Sequence, residues 1–92
     1  MLERYINKHP IIAILRGITP KDVVEISQSL YKHGIRVIEV PLNSPQAIKS
    51  IEKLVSALPR DCLIGAGTVY SIEQVTQIEN VGGKLIVSPH CD

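Results

Sequence analysis

Arg36-Val37-Ile38-Glu39-Val40-Pro41-Leu42-Asn43-Ser44-Pro45 is the stretch from which the rest of the chain can be read. Arg36–Val40 is short, rich in β-branched residues and closed by Pro41, the pattern of a strand. Val37, Ile38 and Val40 make it apolar on both faces of the pleat, as in a parallel strand covered on both sides. A glutamate stands in the middle of it. A few residues later, Ser44-Pro45 offers a hydroxyl for a helix N-cap and a proline for the first helical position. Strand followed closely by helix is one βα unit.

The same unit recurs on either side. Runs of strand character lie at Ile11–Leu15, Cys62–Ala66 and Lys84–Ser88, and with Arg36–Val40 their starts are 25, 26 and 22 residues apart. Between them the apolar residues take helical spacing: Val23, Ile26 and Leu30; Ile48, Ile51, Leu54, Val55 and Leu58; Ile72, Val75 and Ile78. Thr19-Pro20 marks a second cap-and-proline entry, and Ser71 with Gln74 spells a capping box. Ile18 with Val23, and Tyr70 with Val75, have the spacing of hydrophobic staples. Gly34, Pro59 and Gly82-Gly83 mark the helix ends. A short lead-in helix over Leu2–Lys8 is also expected.

Strand, helix, strand, helix, strand, helix, strand requires parallel pairing through right-handed crossovers, so the fold class is α/β. The pitch near 25 residues is tight for a doubly wound sheet and matches a (β/α)8 TIM barrel. About three and a half βα units are present, the N-terminal half of such a barrel, so residues 1–92 read as a single partial TIM-barrel domain.

Composition narrows the function. The chain has 92 residues, 45% hydrophobic and 21% charged, with ten Lys and Arg against nine acids and a net charge of +1. Scattered single cations make no basic stripe, which argues against nucleic-acid binding. No apolar run approaches the roughly 18 residues of a membrane helix, and no signal-peptide pattern opens the chain, so the expectation is a cytoplasmic protein without membrane contact. Cys62 and Cys91 lack metal-ligand spacing and read as inert reduced thiols; no metal or cofactor is expected. His33 beside Gly34 reads as a helix C-terminal histidine, and His9 and His90 as solvated.

The residues that look chemical are Glu39, Arg16 and Thr68. An unpaired carboxylate in an apolar strand costs several kcal/mol or stays protonated. Glu39 is therefore either a salt-bridged or edge-exposed acid, or a site residue facing the barrel interior on the same face as Val37. Arg16 follows Ile11–Leu15 and falls at the C-terminal end of a strand, the catalytic rim of a barrel. Thr68 closes Gly65-Ala66-Gly67-Thr68, where two glycines would let a ligand approach the backbone, although a plain tight turn explains the same residues. All three strand ends converge on one rim.

Ile12-Ala13-Ile14-Leu15-Arg16-Gly17, Val37 through Pro45, Ile64-Gly65-Ala66-Gly67-Thr68-Val69 and Leu85-Ile86-Val87-Ser88-Pro89 together resemble the 2-dehydro-3-deoxy-6-phosphogluconate/phosphogalactonate aldolases. The resemblance covers nearly the whole chain, with four motifs in family order. It implies a class I, Schiff-base aldolase on a (β/α)8 barrel that is a homo-oligomer, trimeric at full length. Such an enzyme cleaves a phosphorylated keto-deoxy sugar acid to pyruvate and glyceraldehyde 3-phosphate. By position, Glu39 would be the proton shuttle, and Arg16 and Thr68 would bind the substrate carboxylate. Asn43 stands where the gluconate branch has arginine, and PLNSP with ILRG looks more like the galactonate branch. The family's Schiff-base lysine and phosphate loops fall beyond Asp92, so the 92 residues alone are expected to be inactive. The alternative is a non-catalytic α/β module that binds a small keto acid or a protein partner.

Overall fold

The structure is a computed structural model, and it describes residues 12–87. The expected lead-in helix, His9, His90 and Cys91 lie outside the described residues. The elements are β1 (Ile12–Ile14), α1 (Pro20–Lys32), β2 (Val37–Pro41), α2 (Ala47–Ala57), β3 (Leu63–Gly67), α3 (Ile72–Asn80) and β4 (Leu85–Ile86). All four strands are parallel, in the order β1-β2-β3-β4. This is a half-barrel α/β fold, and each strand starts one residue later than expected.

Register separates the two faces of the sheet. Ala13, Ile38 and Ile64 stand level on one face, as do Val40, Ala66 and Ile86. Against that face pack Val23 of α1, Ile51 and Leu54 of α2 and Ile78 of α3, forming the core. The other face carries Ile14, Glu39, Gly65 and Leu85 in one row and Ile12, Val37 and Leu63 in another. No helix covers it among the described residues, so Ile12 is 46% and Ile14 57% exposed. Helices on one side only, with strands in sequential order, distinguish a barrel wall from a doubly wound sheet.

Most helix boundaries follow local chemistry. Ser71 Oγ accepts the Gln74 N–H at 3.2 Å while Gln74 Oε1 accepts the Ser71 N–H, a complete capping box. Thr19 is the α1 N-cap with Pro20 at the first position, but its side chain makes no cap hydrogen bond. Ile18 and Val23 pack in the core as their spacing implies, whereas Tyr70 is 64% exposed. Both α1 and α3 end in Schellman motifs. Ile35 N–H donates to Leu30 C=O at 3.0 Å and Gly34 N–H to Tyr31 C=O at 3.0 Å, with Gly34 at φ 103°. Gly83 and Gly82 repeat the pattern on Ile78 and Glu79. His33 Nδ1 lies 2.8 Å from the Ser29 carbonyl, the helix-end role expected for it.

One helix start differs from expectation. Ser44-Pro45 does not cap α2: the helix begins at Ala47, and its N-cap is Gln46 in the left-handed region at φ 48°. The Ser44 hydroxyl is engaged with the loop after β1 instead, which removes it from the helix entry. The N-terminal end of the sheet is held by surface contacts. Arg36 stacks 3.7 Å over the Tyr31 ring and lies 3.4 Å from Asp61, to which the Tyr31 hydroxyl donates.

Candidate active site

Arg16 and Thr68 lie just beyond the C-terminal ends of β1 and β3, while Glu39 sits in the middle of β2 with its carboxylate reaching Gly67 at the end of β3. Glu39 is the third residue of β2, on the helix-free face, and is only 5% exposed. Its carboxylate accepts no hydrogen bond from the described residues. Burial pushes its carboxyl above the ordinary value, and the nearby Arg16 charge pulls the other way. Arg16 is exposed just beyond β1. Its guanidinium favours the ionised acid, but less strongly than burial opposes it.

Thr68 follows β3 immediately, half-buried, at φ 58°. A β-branched residue in the left-handed region is an outlier that costs on the order of 1–3 kcal/mol and persists only where surroundings enforce it. Here the enforcement comes from both sides: Leu42 N–H donates to Gly67 C=O at 2.9 Å, and Val69 N–H to Val87 C=O at 3.3 Å.

Three contributors were not evident from sequence. A Cβ on Gly67 would overlap the Glu39 carboxylate, so Gly67 makes room for Glu39 itself. A Cβ on Gly65 would likewise run into the Leu85 backbone, so that glycine admits β4. The space in Gly65-Ala66-Gly67 is thus filled from within the protein. Ser44, 5% exposed, accepts the Gly17 N–H at 2.9 Å and lies 3.4 Å from the Leu15 carbonyl.

The described lysines stand elsewhere. Lys21 and Lys32 lie on α1, Lys49 and Lys53 on α2, and Lys84 just before β4 at the opposite end of the sheet, all exposed. Cys62 is buried and free, and burial raises its thiol away from the reactive thiolate. No helix among the described residues is long and apolar enough to cross a membrane.

The model for KDPG and KHG aldolase matches residues 2–92. The chain belongs to that aldolase family. It is 46% identical, over 92% of its own length, to a probable 2-dehydro-3-deoxy-6-phosphogalactonate aldolase of Rhizobium meliloti (strain 1021). A structure described as native KDPGal superposes with a TM-score of 0.87 at 45% identity, covering 92% of this chain and 41% of that one. A KDPG aldolase from Legionella pneumophila, with pyruvate captured at low pH as a covalent carbinolamine intermediate, gives a TM-score of 0.81 at 34% identity over 90% of this chain and 40% of that one. The chain spans 40% of the length of the Rhizobium relative.

Proposed function

We propose that this chain supplies the proton-shuttling and carboxylate-binding part of a class I aldolase site. The substrate would be a keto-deoxy sugar acid phosphate, of the phosphogalactonate type more than the phosphogluconate type, and the product fragment pyruvate. The observation that carries this reading is Glu39, a nearly buried carboxylic acid on the helix-free face of the sheet whose carboxylate reaches Gly67 at the C-terminal end of β3. Burial raises the pKa of this acid, so it holds a proton more readily than an exposed carboxylate and can give it back, which Schiff-base chemistry needs at two points. One is loss of water from the carbinolamine; the other is protonation of the enamine methyl carbon. Arg16 would hold the substrate carboxylate with a planar two-pronged donor, helped by the Thr68 hydroxyl. The relatives' names support the phosphogalactonate assignment, as does Asn43. We place the protein in the cytoplasm as part of a homo-oligomer, with residues 1–92 forming one partial barrel domain.

The test is Glu39→Gln in a complete barrel containing these residues. Exchange of pyruvate methyl protons with deuterated solvent should fall by about 10²–10⁴-fold while pyruvate still binds. Near-normal exchange, followed by NMR at saturating pyruvate, would reduce Glu39 to a structural acid.

A second reading, a keto-acid or protein-binding module without catalysis, is favoured by one observation: no described lysine stands on the rim with Glu39. The covalent lysine is therefore proposed to lie outside residues 1–92. Pyruvate with borohydride should leave no reduced pyruvyl adduct on a polypeptide of these residues alone, because trapping needs a lysine amine in the site. Stoichiometric labelling of any lysine, read by mass spectrometry, would overturn that placement.

A further inference from the structure

We infer that Ser44 is a positioning residue for Arg16, holding the loop that carries the guanidinium against the strand that carries Glu39. The inference deepens the proposed carboxylate-binding role of Arg16 and rests on it for its functional consequence, though not for its geometry.

Arg16 is not fixed by its own side chain among the described residues. It is exposed, and among the described residues its guanidinium makes no hydrogen bond or ion pair at contact distance. Its placement must come from the backbone on either side. There Gly17 turns the chain at φ 79°, the turn is closed only by a long bond from Ile18 N–H to Leu15 C=O at 3.4 Å, and the first helical bond comes where Asp22 donates to Thr19. Into this gap reaches Ser44. Its Oγ accepts the Gly17 N–H at 2.9 Å and lies 3.4 Å from the Leu15 carbonyl, so one hydroxyl touches the peptide groups on both sides of Arg16. The first is a full hydrogen bond; the second is long for O–H···O and adds direction more than strength.

Ser44 is itself well placed for this. It is 5% exposed, its N–H donates to Pro41 C=O at 2.9 Å, and Pro41 ends the strand bearing Glu39. Leu15 N–H donates to the Glu39 carbonyl at 2.9 Å. The path from Arg16 to Glu39 therefore runs through a few part-buried links. A serine that the helix-start pattern assigns to capping α2 is used to tie one active-rim loop to the next. Alanine at this position would leave the Gly17 N–H without its partner and the loop free to choose other turns.

The experiment compares Ser44→Ala, Arg16→Ala and the double variant in the intact polypeptide. In Ser44→Ala, the Gly17 amide should exchange with solvent about 3- to 10-fold faster, the range one net hydrogen bond supports. The Glu39 carboxyl, followed by carbon NMR against pH, should titrate at higher pH as the Arg16 charge drifts away. Titrated pyruvate should bind more weakly. In the Arg16→Ala background, Ser44→Ala should change neither the Glu39 titration nor pyruvate binding further, because the effect passes through Arg16. Equal shifts in both backgrounds, or an unmoved Gly17 amide, would overturn the inference. If Arg16→Ala leaves pyruvate binding unchanged while Ser44→Ala moves Glu39 and Gly17, the carboxylate role fails and the positioning stands. One measurement needs no variant: in the unmodified polypeptide the Gly17 amide should exchange more slowly than that of Arg16, and equal rates would overturn the clasp.

Discussion

Burial raises the Glu39 carboxyl and Arg16 only opposes the rise, so this acid couples folding to pH in the direction opposite to a salt-bridged one. Its folded pKa lies above the unfolded one, so the folded state binds the proton more tightly. Stability is then fully present below the unfolded value near 4.5 and declines as pH rises through the folded value. Glutamine keeps the shape of the protonated form. Glu39→Gln should therefore match the parent near pH 4 and exceed it in denaturation midpoint at pH 8; a constant difference across that range would show that Glu39 is not desolvated. This acid was legible in sequence because a charge inside an apolar strand has few explanations. Ser44 and Gly67 were not, for opposite reasons. Ser-Pro satisfies the rule for a helix start so well that no other use of the hydroxyl suggests itself. A glycine only declares that space is needed; the occupant, Glu39, follows from the register of Pro41 against Gly67.

At the scale of elements, the helices were readable because their punctuation is chemical: the Ser71 box, Pro20, and the glycines after α1 and α3 each satisfy backbone groups in one way. The entry to α2 was misread, since Gln46 in a left-handed conformation has no sequence signature. Helix packing also contains something periodicity does not reveal. Ser27 of α1 and Ser50 of α2 are fully buried, and their hydroxyls have no partner among the described residues. A buried hydroxyl without a partner gains nothing from the interior and loses its water. Ser50→Ala should therefore raise stability by about 1 kcal/mol, from relief of desolvation and better helix propensity together. A urea midpoint shifted upward at unchanged slope is the expected readout; a loss of stability would mean the hydroxyl is bonded after all.

Across the whole molecule, the one-sided coverage of the sheet dominates solution behaviour. Ile12, Ile14, Leu63 and Val87 are exposed, and β1 and β4 each have one unpaired edge among the described residues. An apolar face bordered by open strand edges favours association. As a separate polypeptide, residues 1–92 should sediment as a concentration-dependent assembly at tens of micromolar, and Ile14→Lys should shift it toward monomer; a sharp monomer at every concentration would contradict this. The same face also alters the calorimetry of the dilute monomer. Apolar groups already in contact with water cannot become newly hydrated on unfolding, so they add nothing to the heat-capacity increment. A fully covered chain of 92 residues would show about 1.1–1.4 kcal/mol/K. This one should fall below that, with a flatter stability curve, a weaker response to denaturant and less tendency to unfold in the cold.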